Sequence, residues 1–196
     1  MKGSLLPYAD KIPHNPKRRW NAIIERFPKN DKLIGAEVGV WMGKTSQKLL
    51  EHFPNLFLYM IDRWCVPPKG DSYYNGSTEM VRSSAKEWQS VYAKAVRVVS
   101  PYRGRYKIMK TTTLEAASHI KDKSLDFVFI DADHSYEGVT GDIKAWLPKI
   151  KAGGLLCGHD YENENTKGEV KRAVHEILGD KIELSYNKTW FHRVIV

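Results

Sequence analysis

"FVFIDADHSYEG", Phe127 to Gly138, decides how the rest of the chain is read. It begins as an apolar run of strand length, rich in aromatic and β-branched residues, and so reads as a buried strand. It then breaks into Asp131, Asp133 and His134, followed by an aromatic and a glycine. Two carboxylates one residue apart repel each other and need water, a cation or a ligand. The stretch is either an ordinary polar strand end or the mouth of a site, and the neighbouring segments choose between the two.

Working outward, short apolar runs alternate with helical patterns. Lys32–Val40, Asn55–Asp62, Arg105–Thr111, Leu125–Asp131 and Gly153–Asp160 read as strands. Gly43–Phe53, Thr78–Val98, Thr113–Ile120, Tyr136–Ile150 and Gly168–Leu178 read as the helices between and after them, although Gly138 and Gly141 weaken the start of the fourth. "KIELSYN" and "TWFHRVIV" close the chain as a hairpin. This rhythm predicts an α/β fold, a doubly wound and mostly parallel seven-stranded sheet with a terminal antiparallel strand. Residues 1–31 form an N-terminal extension or cap, with one helix over Pro16–Phe27, and residues 32–196 form the domain. Arg63–Ser77 holds two prolines and two glycines and predicts a long mobile loop, a candidate lid.

With 196 residues, 42% hydrophobic and 28% charged, the chain suits one soluble domain. No apolar run is long enough to span a bilayer. "MKGSLLPYADKIP" lacks a signal-like apolar stretch, so a cytoplasmic location is expected. Cys65 and Cys157 stand in no metal-ligand spacing and are expected to be reduced thiols. The net charge of +8, with "KRR" at Lys17 to Arg19, is either a solvated surface or an attraction for acidic or phosphorylated partners. The sequence leaves open a homo-oligomer.

In a doubly wound sheet, ligands bind outside the carboxyl ends of the strands, where strand order reverses. Each such end here carries chemistry: Gly39 and Gly43; Asp62; Thr111, Thr112 and Thr113; Asp131, Asp133 and His134; His159 and Asp160. Together they mark one crevice. The first turn, Glu37-x-Gly39-x-x-x-Gly43, is neither the G-x-G-x-x-G of dinucleotide binders nor a P-loop, which needs a glycine where Val38 stands. Gly39 lets backbone approach a ligand, Glu37 suits a cation or an ammonium, and Asp62 suits the two hydroxyls of a ribose. The bland alternatives are a tight turn and a strand-capping aspartate. His119 and His175 lie in predicted helices and read as structural, and Trp146 and Trp190 as core.

"AEVGVWMGKTS", "YMIDRW", "DFVFIDADHSYEGV" and "LPKIKAGGLLCGHDY", in this order and spacing, resemble the class I S-adenosylmethionine-dependent methyltransferases, whose fold is Rossmann-like. The likeness runs from about Lys32 to Tyr161 and is narrowest to the small-molecule O-methyltransferases of cephalosporin and macrolide biosynthesis. It implies S-adenosylmethionine as cofactor. Glu37, Gly39 and Gly43 would serve the methionine part, Asp62 and Arg63 the ribose region, and Thr112 or Thr113 the adenine. Asp131 would face the cofactor's methionine end or a metal. His134 would be a general base for the acceptor hydroxyl, standing where catechol-type relatives have a lysine; its plainer reading is a helix cap. Metal-dependent relatives would hold Mg²⁺ where this chain has Asp131, His159 and Asp160, but His159 departs from their oxygen ligands.

The implied activity is methyl transfer to a small-molecule acceptor, at a hydroxyl oxygen. Two alternatives remain: a cofactor-binding domain without methyl transfer, and a nucleic-acid methyltransferase. The strand end "GHDY" lacks the "[DN]-P-P-[YFW]" tetrad of amino-methylating nucleic-acid enzymes, which disfavours the second.

Overall fold

The computed structural model describes residues 18–68 and 84–195. Seven strands form one sheet: β1 (Leu33–Val38), β2 (Leu56–Asp62), β3 (Tyr106–Lys110), β4 (Leu125–Ile130), β5 (Ile150–Gly158), β6 (Glu183–Ser185) and β7 (Thr189–Arg193). Their order is β3-β2-β1-β4-β5-β7-β6. The pairs from β3 through β5 are parallel, and β7 runs antiparallel to both β5 and β6. The terminal hairpin therefore inserts one antiparallel strand, as the sequence predicts. Strand order reverses between β1 and β4, which places the expected crevice above that pair.

Among the described residues, six helices flank the sheet: α1 (Arg19–Ile24), α2 (Lys44–His52), α3 (Ala85–Val99), α4 (Thr113–Ser118), α5 (Tyr136–Trp146) and α6 (Glu169–Leu178). α1, α2 and α3 cover one face, packing Ile23, Leu49, Leu50 and Trp88 with the β-face residues Leu58, Phe127 and Phe129. α4, α5 and α6 cover the other, where Trp146 and Val174 meet Val38, Val128 and Leu156. Burial on both faces explains why the central strands read as continuous apolar runs rather than alternating ones. Trp146 and Trp190 are core residues, as expected, and both cysteines are free.

Several boundaries differ from the sequence reading for local reasons. α1 stops at Ile24, with Glu25 as its C-cap and short of the expected Phe27. α5 ends at Trp146 and passes into a short 3₁₀ turn over Leu147–Lys149, since Pro148 cannot continue the α-helical ladder. β5 begins at Ile150, three residues early, with a register shift against β4. Of the proposed lid, residues 69–77 lie outside the described residues, as do residues 78–83 of the helix predicted from Thr78.

Candidate active site

A crevice of about 350 Å³ opens above the carboxyl ends of β1–β4, a volume in the range of small-ligand sites. Six of the expected cofactor residues line it: Gly39, Asp62, Arg63, Thr112, Thr113 and Asp131. Gly39 sits just past β1 with φ +93°, and an added Cβ would lie 2.1 Å from the Asp131 carbonyl oxygen. The backbones after β1 and β4 are in contact there, and only glycine permits it.

Asp62 organises the crevice wall as well as lining it. Its Oδ2 accepts from the Trp41 N–H and its Oδ1 from the Trp64 N–H, each at 2.8 Å. Both donors have left-handed φ, 50° and 43°, so the carboxylate holds two turns that would otherwise relax. Burial raises its pKa, and these backbone bonds work against the rise. Asp62→Asn keeps the shape of the side chain, whereas Asp62→Ala frees both turns. S-adenosylhomocysteine affinity should accordingly fall by about 1–2 kcal/mol in the asparagine variant and by more in the alanine variant. Calorimetry finding wild-type affinity in both would remove Asp62 from the site.

Glu37 lies beneath the crevice floor, 1% exposed, and accepts a hydrogen bond from Ser46 Oγ on α2. Burial pushes its pKa up to about 8, with Asp131 and Asp62 adding to the rise and Ser46 opposing it. Asp142 on α5, also buried, is pushed up to about 7 by burial, opposed by the Thr113 hydroxyl that donates to it. Both carboxyls are more protonated in the folded chain than in the unfolded one between about pH 4 and 8. The folded state then binds more protons, so their joint effect is a loss of stability as pH rises through that window. The melting temperature should fall less steeply between pH 5 and 8 in Glu37→Gln than in wild type; parallel slopes would contradict the buried-acid assignment.

Gly43 is not among the crevice residues. It caps α2 with φ +75°, and an added Cβ would press on Ala95 and Val98 of α3. Its role in the fold is close helix packing.

At the β4–β5 side the crevice meets a compact charged cluster through Asp131. His134 Nε2 lies 3.1 Å from Asp160 Oδ2 and 3.6 Å from Asp131 Oδ1. His159 Nδ1 lies at the same two distances from the same two oxygens. Both ring nitrogens are buried, and neither has a well-formed hydrogen bond among the described residues. The far nitrogen of His159 pairs with Asn187 Oδ1 at 3.1 Å, and Asn163 donates to Asp160 Oδ1 at 2.7 Å. Asp160 has φ 59°, in the left-handed region that aspartate enters more readily than most residues. Arg19, from the N-terminal helix, donates to Asp131 Oδ2.

Burial opposes charge at each of these groups, and their mutual attraction wins. His134, His159 and Arg19 hold the Asp131 carboxyl well below the usual carboxylate range. The two carboxylates raise His134 and lift His159 to about 9.

The sequence reading placed Asp131, His134, His159 and Asp160 near one another, and the fold brings them together. It did not find Arg19, which is 112 residues from its partner. Nor did it find Trp41 and Trp88 on the crevice wall, or Asp142. Trp41, 46% exposed in the turn after β1, carried one usable signal: a large aromatic between two turn glycines. Asp133 lines the crevice and its Oδ1 accepts from the Ser135 N–H at 2.9 Å, bracing the turn into α5. His175 hydrogen-bonds the Tyr161 hydroxyl on α6's outer side, in keeping with a structural role.

Residues 36–161, more than half of the chain, match a family model described as a methyltransferase domain. The chain belongs to this methyltransferase-domain family. Solved structures with the same fold include a Staphylococcus aureus chain assigned to the caffeoyl-CoA O-methyltransferases, 15% identical, covering 90% of this chain and 82% of that one with a TM-score of 0.61. The O-methyltransferase NovP is 15% identical over 89% of this chain and 75% of its own, with a TM-score of 0.58. A precorrin 8w decarboxylase of Methanobacterium thermoautotrophicum is equally close at 15% identity and a TM-score of 0.60, covering 90% and 89%. A shared fold at this identity does not select among their reactions.

Among curated proteins, an uncharacterized protein of Acanthamoeba polyphaga mimivirus is 22% identical over 79% of this chain and 62% of its own length. An uncharacterized protein of Sinorhizobium fredii is 27% identical over 38% of this chain and 8% of its own. The chain thus spans less than two thirds of the curated relatives it matches. Among the described residues no helix of this methyltransferase domain is long and apolar enough to cross a membrane.

Proposed function

We propose that the chain transfers the methyl group of S-adenosylmethionine to an oxygen of a small-molecule acceptor. The observation that carries this reading is the meeting of two features at Asp131: a nucleoside-sized crevice at the strand-order reversal, and a cluster of imidazoles and carboxylates at its end. The cofactor would lie with its methionine part at Gly39 and Asp131, above Glu37, and with its ribose at Asp62. The sulfonium methyl is already reactive, so the protein's task is to orient the acceptor in line with it and to exclude water. The His134 ring would take the acceptor's proton, and Asp131 and Asp160 would stabilise the imidazolium that forms. An acidic or phosphorylated acceptor is favoured by the net charge of +8 and by Arg19 at the cluster.

The Mg²⁺ that metal-dependent relatives would hold does not match the donors. Asp131, His134 and Asp160 each offer a ligand atom within 4.8 Å of one another, and His159 stands beside them, which makes two imidazole nitrogens to two carboxylates. Mg²⁺ takes oxygen donors and keeps several waters, whereas imidazole suits zinc, iron or nickel. Arg19 also engages one oxygen of Asp131. The reading above therefore needs no metal step.

The direct test incubates the chain with methyl-labelled S-adenosylmethionine and a panel of phenolic, sugar and phosphorylated hydroxyl acceptors. Label transfer to one class supports the proposal. Cofactor binding without transfer to any would favour a binding domain instead.

A further inference from the structure

Between Lys86 and Lys110 the chain carries seven basic residues and one acidic one, so this stretch holds six of its net eight positive charges. It folds into α3, the turn after it and the edge strand β3. Arg105 is engaged inside the fold, donating to the Leu50, Phe53 and Pro54 carbonyls at the end of α2. The other six, Lys86, Lys94, Arg97, Arg103, Lys107 and Lys110, are exposed. At 3.6 residues per turn, Lys86, Lys94 and Arg97 fall on one face of α3, opposite the buried Trp88, Ala95 and Val99. Lys110 Nζ lies 4.8 Å from the centre of the Tyr92 ring, which joins the β3 edge to that helix. Glu87, the acid of the stretch, is taken up in capping α3 at Ser84. Elsewhere surface lysines sit against carboxylates: Lys149 on Asp122 and Lys151 on Asp126, each at 2.6 Å, and Lys171 on Glu162 at 3.2 Å. Lysines on an edge strand deter edge-to-edge pairing, which accounts for Lys107 and Lys110. It does not account for a helix face of one sign, where Lys94 and Arg97, three residues apart, repel each other.

We propose that the exposed face of α3, with Arg103 and Lys107 beside it, binds the phosphate backbone of a nucleic acid. Lys86 and Arg97 stand about 17 Å apart along the helix axis, a track that several consecutive phosphates can follow. The chemistry of the face selects this partner over the other anionic ones. A protein interface is built on an apolar core with aromatic anchors, and a helix that lies on a membrane needs a large apolar face. The exposed large apolar residues of the described chain, Ile34, Trp41, Val66, Leu114, Leu184 and Ile195, all lie off α3 and β3. Phosphate contacts need only positioned cations and carry no base sequence. The track starts at the crevice mouth, since Trp88 and Thr112, each two residues past one of its lysines, line the crevice. It makes nucleic acid a bound partner, not the methyl acceptor, and it stands or falls without the methyl-transfer reading.

The test follows the fluorescence anisotropy of a labelled mixed-sequence oligonucleotide of about 20 nucleotides, single-stranded and as its duplex, titrated with the whole chain at several salt concentrations. Wild type should bind at least one of them saturably, and log K should fall with log salt at a slope of about −3 to −5, the value for five phosphate contacts. The double variant Lys94→Gln, Arg97→Gln should bind about tenfold more weakly with a slope shallower by about 2. The control, Lys151→Gln with Lys171→Gln, removes the same charge from cations that already have carboxylate partners and should stay near wild type. Equal weakening in the two double variants would mean attraction by net charge alone and overturn the site. Wild type that binds neither oligonucleotide at 50 mM salt overturns it as well. Poly-glutamate that displaces the oligonucleotide at equal charge, or tighter binding to phosphatidylserine vesicles, would overturn the choice of partner. The wild-type salt slope is read without any variant.

Discussion

His134→Ala should lower kcat by about 10²–10⁴ on any acceptor the wild-type chain methylates, the usual worth of a positioned general base. S-adenosylhomocysteine affinity should stay near wild type, because His134 is not among the residues lining the crevice proposed for the cofactor. The physical case is the pairing of its ring with Asp131 and Asp160 at 3.6 and 3.1 Å. Two carboxylates make the imidazole more basic and hold the charged form once it has taken a proton. A variant with normal turnover would leave His134 a structural partner of Asp160 and strip the cluster of its proposed base. A variant that loses cofactor binding in proportion to turnover would move His134 into the binding site.

Gly39→Ala should be the most damaging single methyl in the chain. The residue has φ +93°, and the new Cβ would lie 2.1 Å from a backbone oxygen and 2.4 Å from its carbon, at Asp131. Neither atom can rotate away, so β1 and β4 would have to separate at the crevice floor. A destabilisation of about 3 kcal/mol or more is expected, which for a chain of this size lowers the melting temperature by roughly 6–12 °C. Gly104 is the control: its φ is +86°, but nothing lies within 4 Å of an added Cβ. Gly104→Ala therefore carries only the left-handed strain, about 1–2 kcal/mol. Equal effects at the two positions would show that the contact between strand ends does not matter.

Much of this was legible because an α/β chain writes its site at predictable places. Asp62, Thr112, Asp131 and His159 each follow an apolar run of strand length, and parallel strands bring all such ends to one edge of the sheet. His134 was legible for the same reason, being three residues past Asp131. Gly43 stands apart from the crevice lining, and a glycine opening a helix looks alike whether it makes room for a ligand or for α3. Asp142 stands in the "DI…W" part of the family resemblance, which assigns it no role, and the packing of α5 on α4 buries it. Arg19 was beyond reach, because its contact with Asp131 joins two ends of the fold that local patterns do not relate. The early start of β5 was hidden by Gly153 and Gly154, which read as turn while serving as strand.

The crevice above β1–β4 is proposed to hold an adenosyl-methionine cofactor. Titration calorimetry with S-adenosylhomocysteine tests it most directly. Saturable binding of one ligand per chain is expected, weakened in Asp62→Asn at unchanged fold. Absence of saturable binding to the folded wild-type chain, or binding indifferent to Asp62, would contradict it.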